Sequence, residues 1–246
     1  MDLAAVAFVI AVVLIASTAQ TVAGFGFALI AVPFLVIVLD VKDAVVLVGI
    51  LGLLNSTLVA RAVWRHVRVR SVGTMLLGSF VGMPAGLLVL LFAPEDALRL
   101  AVGVSSITMA VAITLGLRFG GGDRPRELFA GAVSGLLNTS TGMNGPPIVL
   151  YLQERGYPPE EFRGALSAFF VVSGVVSFAA FAATGVVSGA ALALAVGGVP
   201  AVFAGNWAGH RLLGRLSRET FRRLVLALLI VTAVAAVATS IARIAS

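Results

Sequence analysis

The chain has 246 residues, 60% of them hydrophobic and 11% charged, with 17 basic and 11 acidic residues and no cysteine. A soluble domain carries about 25% charged residues, so this composition cannot clothe a water-facing surface in polar groups. It argues against a soluble enzyme, a nucleic-acid binder and a disulfide-stapled secreted domain, and for an all-α polytopic membrane protein.

The first apolar run covers 3–19 and follows Met1-Asp2-Leu3, an acidic start where a secretory leader needs basic residues. It is broken at Gln20-Thr21-Val22-Ala23-Gly24-Phe25-Gly26 and resumes over 27–39. Runs at 44–60, 71–92 and 97–117 follow, each near the twenty residues that ~30 Å of hydrocarbon requires. Two short runs, 127–138 and 146–153, then flank Asn138-Thr139-Ser140-Thr141-Gly142-Met143-Asn144-Gly145. Full-length runs at 164–184, 189–209 and 224–244 complete the chain. Polar, glycine-rich backbone between two short apolar runs predicts a pair of half-helices meeting inside the membrane, which protein or a wet cavity must shelter.

The charges orient these segments. Arg61, Arg65, Arg68 and Arg70 fall in one loop, and Arg118, Arg124 and Arg126 in another. Arg155 and Arg163 flank a third loop, and Arg211, Arg215, Arg218, Arg222 and Arg223 a fourth. Lys42, Arg99 and Arg243 are left for the opposite side, with Asp2, Asp40, Asp43, Glu95 and Asp96. The positive-inside rule then places the four arginine-rich loops in the cytoplasm and the N-terminus outside. The net charge of +6 accordingly reports topology, with no nucleic-acid partner.

Sliding the chain on itself by 118 lays Gln20-Thr21-x-x-Gly24 over Asn138-Thr139-x-x-Gly142, and Asp43 over Glu161. At 116, Gly82-Met83-Pro84 lies over Gly198-Val199-Pro200; at 124, Glu95 and Arg99-Leu100 lie over Glu219 and Arg223-Leu224. The predicted architecture is two inverted repeats, 1–117 and 118–246, each a broken or re-entrant hairpin plus three transmembrane helices. An odd number of full spans reverses the second half, and inverted repeats with broken helices at a central site are a recurrent transporter plan.

A half-helix starting within the membrane offers unpaired N–H groups and the positive end of its dipole. Phe27 and Pro146 begin the two candidate first turns, and together such ends can hold an anion without a buried Lys or Arg. The candidate substrate-binding residues are Gln20, Thr21, Gly24, Phe25 and Gly26 in the first half. In the second they are Asn138, Thr139, Ser140, Thr141, Gly142, Met143, Asn144 and Gly145. Small and polar residues also cement membrane helices without any ligand, a reading that stands beside this one and fits Gly78, Gly82, Gly86, Gly205 and Gly209. Asn55, Ser56, Thr57 and Asn206 lie within spans, as pathway or packing groups. No phosphate-loop motif occurs, and no carboxylate falls securely in mid-span. No catalytic residue, metal or cofactor is expected.

At the broken hairpins the sequence resembles the TauE/SafE family of sulfite exporters. The resemblance rests on Gly24-Phe25-Gly26 with Pro33, and on Gly135-Leu136-Leu137-Asn138 through Gly142-Met143-Asn144-Gly145-Pro146-Pro147. It extends over nearly the whole chain, with Phe27-Ala28 and Asn144 departing from the family's richer glycine pattern. It implies a secondary transporter of the bacterial inner membrane that exports sulfite or an organosulfonate by alternating access. The partners are then a small anion and the lipid bilayer, with a homodimer left open. A passive anion channel on the same scaffold is the alternative. An intramembrane hydrolase using Ser134 or Ser173 is the other competitor, disfavoured because no G-x-S-G surrounds either serine.

Overall fold

A computed structural model describes residues 3–67, 69–115 and 123–213, and every regular element among them is helical. The elements are α1 (Leu3–Ala23), α2 (Phe27–Leu35), α3 (Val41–Val63), α4 (Val69–Phe92), α5 (Glu95–Leu115), α6 (Asp123–Thr141), α7 (Gly145–Glu154), α8 (Pro159–Ala183) and α9 (Gly189–Leu212). A single 3₁₀ turn, Trp64–His66, extends α3. Helices α1, α3, α4, α8 and α9 are each long and apolar enough to cross a membrane. The expected span at 224–244 lies outside the described residues.

Polarity runs opposite to that of a soluble protein. Val81 and Val196 are 76% and 73% exposed, whereas Asn55 and Thr139 are fully buried. Apolar side chains face outward where hydrocarbon would solvate them, and polar ones pair inside, as a bilayer requires.

The breaks are narrower than the sequence pattern implies. Helix α1 continues through Gln20 and Thr21, and α6 through Asn138, Thr139, Ser140 and Thr141. Hydroxyls explain this: Thr21 donates to the Ser17 carbonyl, Ser140 to that of Leu136 and Thr141 to that of Leu137, bonds that a helix accommodates. The chain turns only at Gly24-Phe25-Gly26 and Gly142-Met143-Asn144, where Gly26 (φ 107°) and Gly142 (φ 75°) adopt left-handed backbone. Each hairpin therefore joins a long helix to a short one, α2 of about 13 Å and α7 of about 15 Å, so only the second arm of each is half-length.

Packing between the two parts of the chain is reciprocal. Helix α4 lies along α6, α1 along α9, and α3 crosses α8 between them. The first two contacts are backbone to backbone. A Cβ added at Gly82 would lie 2.0 Å from the Ala132 carbonyl oxygen, and one at Gly205 2.5 Å from that of Leu14. Helices α4 and α9 run unbroken through Pro84 and Pro200.

The outer ends of the short helices are fixed from neighbouring elements. Arg99 on α5 donates to the Val36 and Leu39 carbonyls just past α2 and pairs with Glu95 at 3.0 Å, supplying positive charge at a helix C-terminus. Glu95 in turn accepts from the Val41 N–H at 2.9 Å. At the end of α7, Glu154 pairs with Arg126 of α6 at 3.0 Å.

Candidate functional site

Where the two hairpin turns meet the crossing of α3 and α8, they enclose a cavity of about 50 Å³. A water needs ~10–15 Å³ on this measure, so the space suits a few waters or one small oxyanion. Phe27, Ala28 and Leu29 of α2 line it, with Gly26 before them and Asn144 and Gly145 opposite. Its walls come from Val48, Gly49, Gly52, Leu53 and Ser56 of α3 and from Phe170, Gly174 and Ser177 of α8. Gln20, Asn138 and Gly142 complete it, and no charged side chain is among the described lining residues.

Helix geometry makes the α2 end a donor. The first backbone bond entering α2 runs from the Ile30 N–H to the Gly26 carbonyl at 3.0 Å, and no side chain caps the turn. The N–H groups of Phe27, Ala28 and Leu29 therefore have no intrahelical acceptor and carry the positive end of the helix dipole. At α7 the chemistry differs, because Pro146 and Pro147 have no N–H to offer. There the side chain of Asn138 substitutes. It is 7% exposed, and its Nδ2 has no hydrogen-bond partner. A buried carboxamide with two free donor hydrogens is costly unless a ligand or water completes it.

Its counterpart in the first half, Gln20, is engaged at both ends of its carboxamide. Gln20 Nε2 donates to Ser56 Oγ at 2.9 Å, and Gln20 Oε1 accepts from Asn55 Nδ2 at 2.8 Å. Asn206 of α9 extends this network, donating to Thr21 Oγ1 at 3.0 Å and to Asn55 Oδ1 at 3.4 Å.

The thirteen residues expected at the site divide sharply. Gln20, Gly26, Asn138, Gly142, Asn144 and Gly145 line the cavity. The other seven face elsewhere. Thr21 belongs to the α1–α9 contact, and Gly24 packs against Arg163, whose guanidinium donates to the Thr21 carbonyl at 2.8 Å. Phe25 packs edge-on against Phe162. Thr139 donates to the Met83 carbonyl at 2.6 Å, joining α6 to α4, while Ser140 and Thr141 bond back to their own helix. Met143 is buried beside Ser106 of α5. Ser134 and Ser173 both contact Asn144, the first through its backbone carbonyl and the second through its amide at 3.5 Å.

Sequence reasoning missed most of the α3 and α8 wall. One signal was present. Phe27 and Gly145 are 118 residues apart, and so are Gly52 and Phe170. Phe27 packs on Gly52, and Phe170 packs on Gly145, so the aromatic and the glycine exchange places between the halves.

The family described as "Sulfite exporter TauE/SafE" matches residues 9–236. The "Probable sulfite/organosulfonate exporter TauE" of Cupriavidus necator is 27% identical over 221 residues, spanning 86% of this chain and 85% of the relative. No solved structure matches the chain.

Proposed function

The chain belongs to the TauE/SafE sulfite exporter family, and from that premise we propose that it carries sulfite or a small organosulfonate out of the cytoplasm by alternating access. Membership makes it a multi-pass membrane transporter rather than an enzyme. The anion sits between the hairpin turns, held by the Phe27, Ala28 and Leu29 amides from one side and the Asn138 carboxamide from the other. The observation that carries this reading is the free, buried Asn138 Nδ2 at a cavity also lined by Phe27, Ala28 and Leu29, the first turn of α2.

A site built of neutral donors suits a carrier. Buried Lys or Arg would bind an anion tightly and release it slowly, whereas amides and a helix end provide directional donors without formal charge. An inside-negative potential already favours the exit of each negative charge by about 2.3 kcal/mol per 100 mV, so export needs no carboxylate in the cavity. The arginine-rich loops lie in the cytoplasm of a bacterial inner membrane, with the N-terminus outside. The halves 1–117 and 118–246 form inverted repeats. The reciprocal packing of α1 on α9 and α6 on α4, and the exchanged Phe and Gly pairs, support that arrangement. Rocking of one half against the other about the α3–α8 crossing opens the cavity to each side in turn.

Proteoliposomes test the proposal. Sulfite uptake is expected to saturate and to accelerate when sulfite or a sulfonate is loaded on the opposite side. Flux that rises linearly with concentration and ignores the opposite side would contradict a carrier.

A further inference from the structure

A second cavity, far larger than the first at about 590 Å³, opens where α4 and α6 begin and α7 ends. Three guanidinium groups on separate elements line it: Arg70 in the first turn of α4, Arg124 in the first turn of α6, and Arg155 just past α7. Ser71, Thr74 and Tyr157 add hydroxyl groups, and the first turns of two helices contribute their positive ends.

Among the described lining residues the one carboxylate is already engaged. Glu127 Oε1 accepts from Ser71 Oγ at 2.6 Å and from the Tyr151 hydroxyl at 2.9 Å. Arg70 and Arg124 have no carboxylate partner among the described residues, in contrast to Arg126, which Glu154 neutralises. Topology demands only that arginines lie on this side of the membrane. It does not demand that three of them converge on one concavity from three elements. The volume falls within the range of small-molecule sites and exceeds what a bare oxyanion fills.

We propose that this basin is a second oxyanion site, in which Arg70, Arg124 and Arg155 hold the sulfonate, sulfite or phosphate-like group of a soluble anion at the arginine-rich mouth. Guanidinium forks suit such groups because each can present two parallel N–H donors to a pair of oxygens. The basin concentrates anions on the side from which the central cavity loads. That role rests on the transport reading; the binding itself does not.

Inorganic phosphate is the probe, titrated calorimetrically into the full chain in phosphatidylcholine nanodiscs. Arg70→Gln with Arg124→Gln is expected to weaken phosphate binding about tenfold or more, as loss of charge-assisted bonds predicts. Arg70→Lys with Arg124→Lys, which keeps the charge, guards against misfolding and is expected to retain most of the affinity. Arg61→Gln with Arg65→Gln removes equal charge outside the basin and is expected to bind phosphate like the parent. Unchanged phosphate affinity in the Arg70/Arg124 glutamine variant, or equal loss in the Arg61/Arg65 variant, would overturn the proposal. So would loss of phosphate binding in phosphatidylglycerol nanodiscs, which would assign the basin to a lipid headgroup. In proteoliposomes the glutamine variant is expected to raise the KM for sulfite severalfold at unchanged maximal rate. An unaltered KM would leave the central transport site standing and remove the loading role.

Discussion

The two hairpin turns occupy corresponding places in the chain yet supply hydrogen-bond donors in opposite ways. At the first, the side chains are spent: Gln20 is locked between Asn55 and Ser56, and the backbone of Phe27, Ala28 and Leu29 is free. At the second, two of the first three positions of α7, Pro146 and Pro147, have no N–H, which leaves that of Gly145, and the Asn138 side chain is free. The bulk is exchanged as well, Phe27 on Gly52 against Phe170 on Gly145. Each turn offers the kind of donor that is scarce at the other. The cavity between them is lined by residues of both turns, with no ionisable side chain among the described lining residues.

Each arm of this comparison can be broken separately. Removing the free carboxamide with Asn138→Ala is expected to have the largest effect. A hydrogen bond to a charged partner contributes about 1.5–3 kcal/mol, so the KM for sulfite should rise by about 10- to 150-fold while thermal stability in detergent is kept. An unchanged KM would mean that the second turn contributes no donor.

The corresponding change in the first half acts on a different observable. Gln20→Ala strands Asn55 and Ser56 in the core, at a cost of about 1–3 kcal/mol. It should therefore appear chiefly as a lowered melting temperature, with a smaller change in sulfite KM. Were the two alanine variants to behave alike, the division between a spent and a free carboxamide would be wrong.

The backbone half of the comparison can be exchanged outright. Ala28 corresponds to Pro146 at the 118-residue offset, and a proline in the first turn of a helix costs little structurally. Ala28→Pro makes the first turn resemble the second and should weaken sulfite binding by about tenfold through the loss of one amide donor. Pro146→Ala does the reverse and should strengthen binding by a smaller factor. Titration calorimetry on both proteins reads the opposite signs directly.

The smallest effects are expected beside the largest. Ser140→Ala and Thr141→Val remove hydroxyls that bond only to their own helix and should alter stability and flux within about 0.5 kcal/mol. A marked loss of transport in either would move the site along α6.

These contrasts also explain what the sequence made legible. The membrane class, the long helices and the place of both turns follow from composition and glycine spacing, because a bilayer forces nearly every span to be apolar. Within the run from Asn138 to Thr141, however, the four residues look alike in one dimension. Helical rotation alone sends Asn138 into the cavity and Thr139 into α4. The wall contributed by Gly49, Gly52 and Leu53 was hidden for a related reason. A small residue in a span reads as a packing site whether it meets a helix or a cavity, and the crossing of α3 with α8 decides which. The arginines of the basin were explained by topology as residues in loops. Their convergence appears only when the starts of α4 and α6 lie side by side.

The central claim, an oxyanion held by neutral donors from both turns, is tested most directly by locating the anion. Selenite, a heavier analogue of sulfite, gives an anomalous scattering peak at the selenium edge. The account predicts a peak in the central cavity within hydrogen-bonding reach of Asn138 Nδ2 and the Phe27–Leu29 amides, and its loss in Asn138→Ala. A central peak that persists in Asn138→Ala, or the absence of any peak between the two turns at saturating selenite, would contradict it.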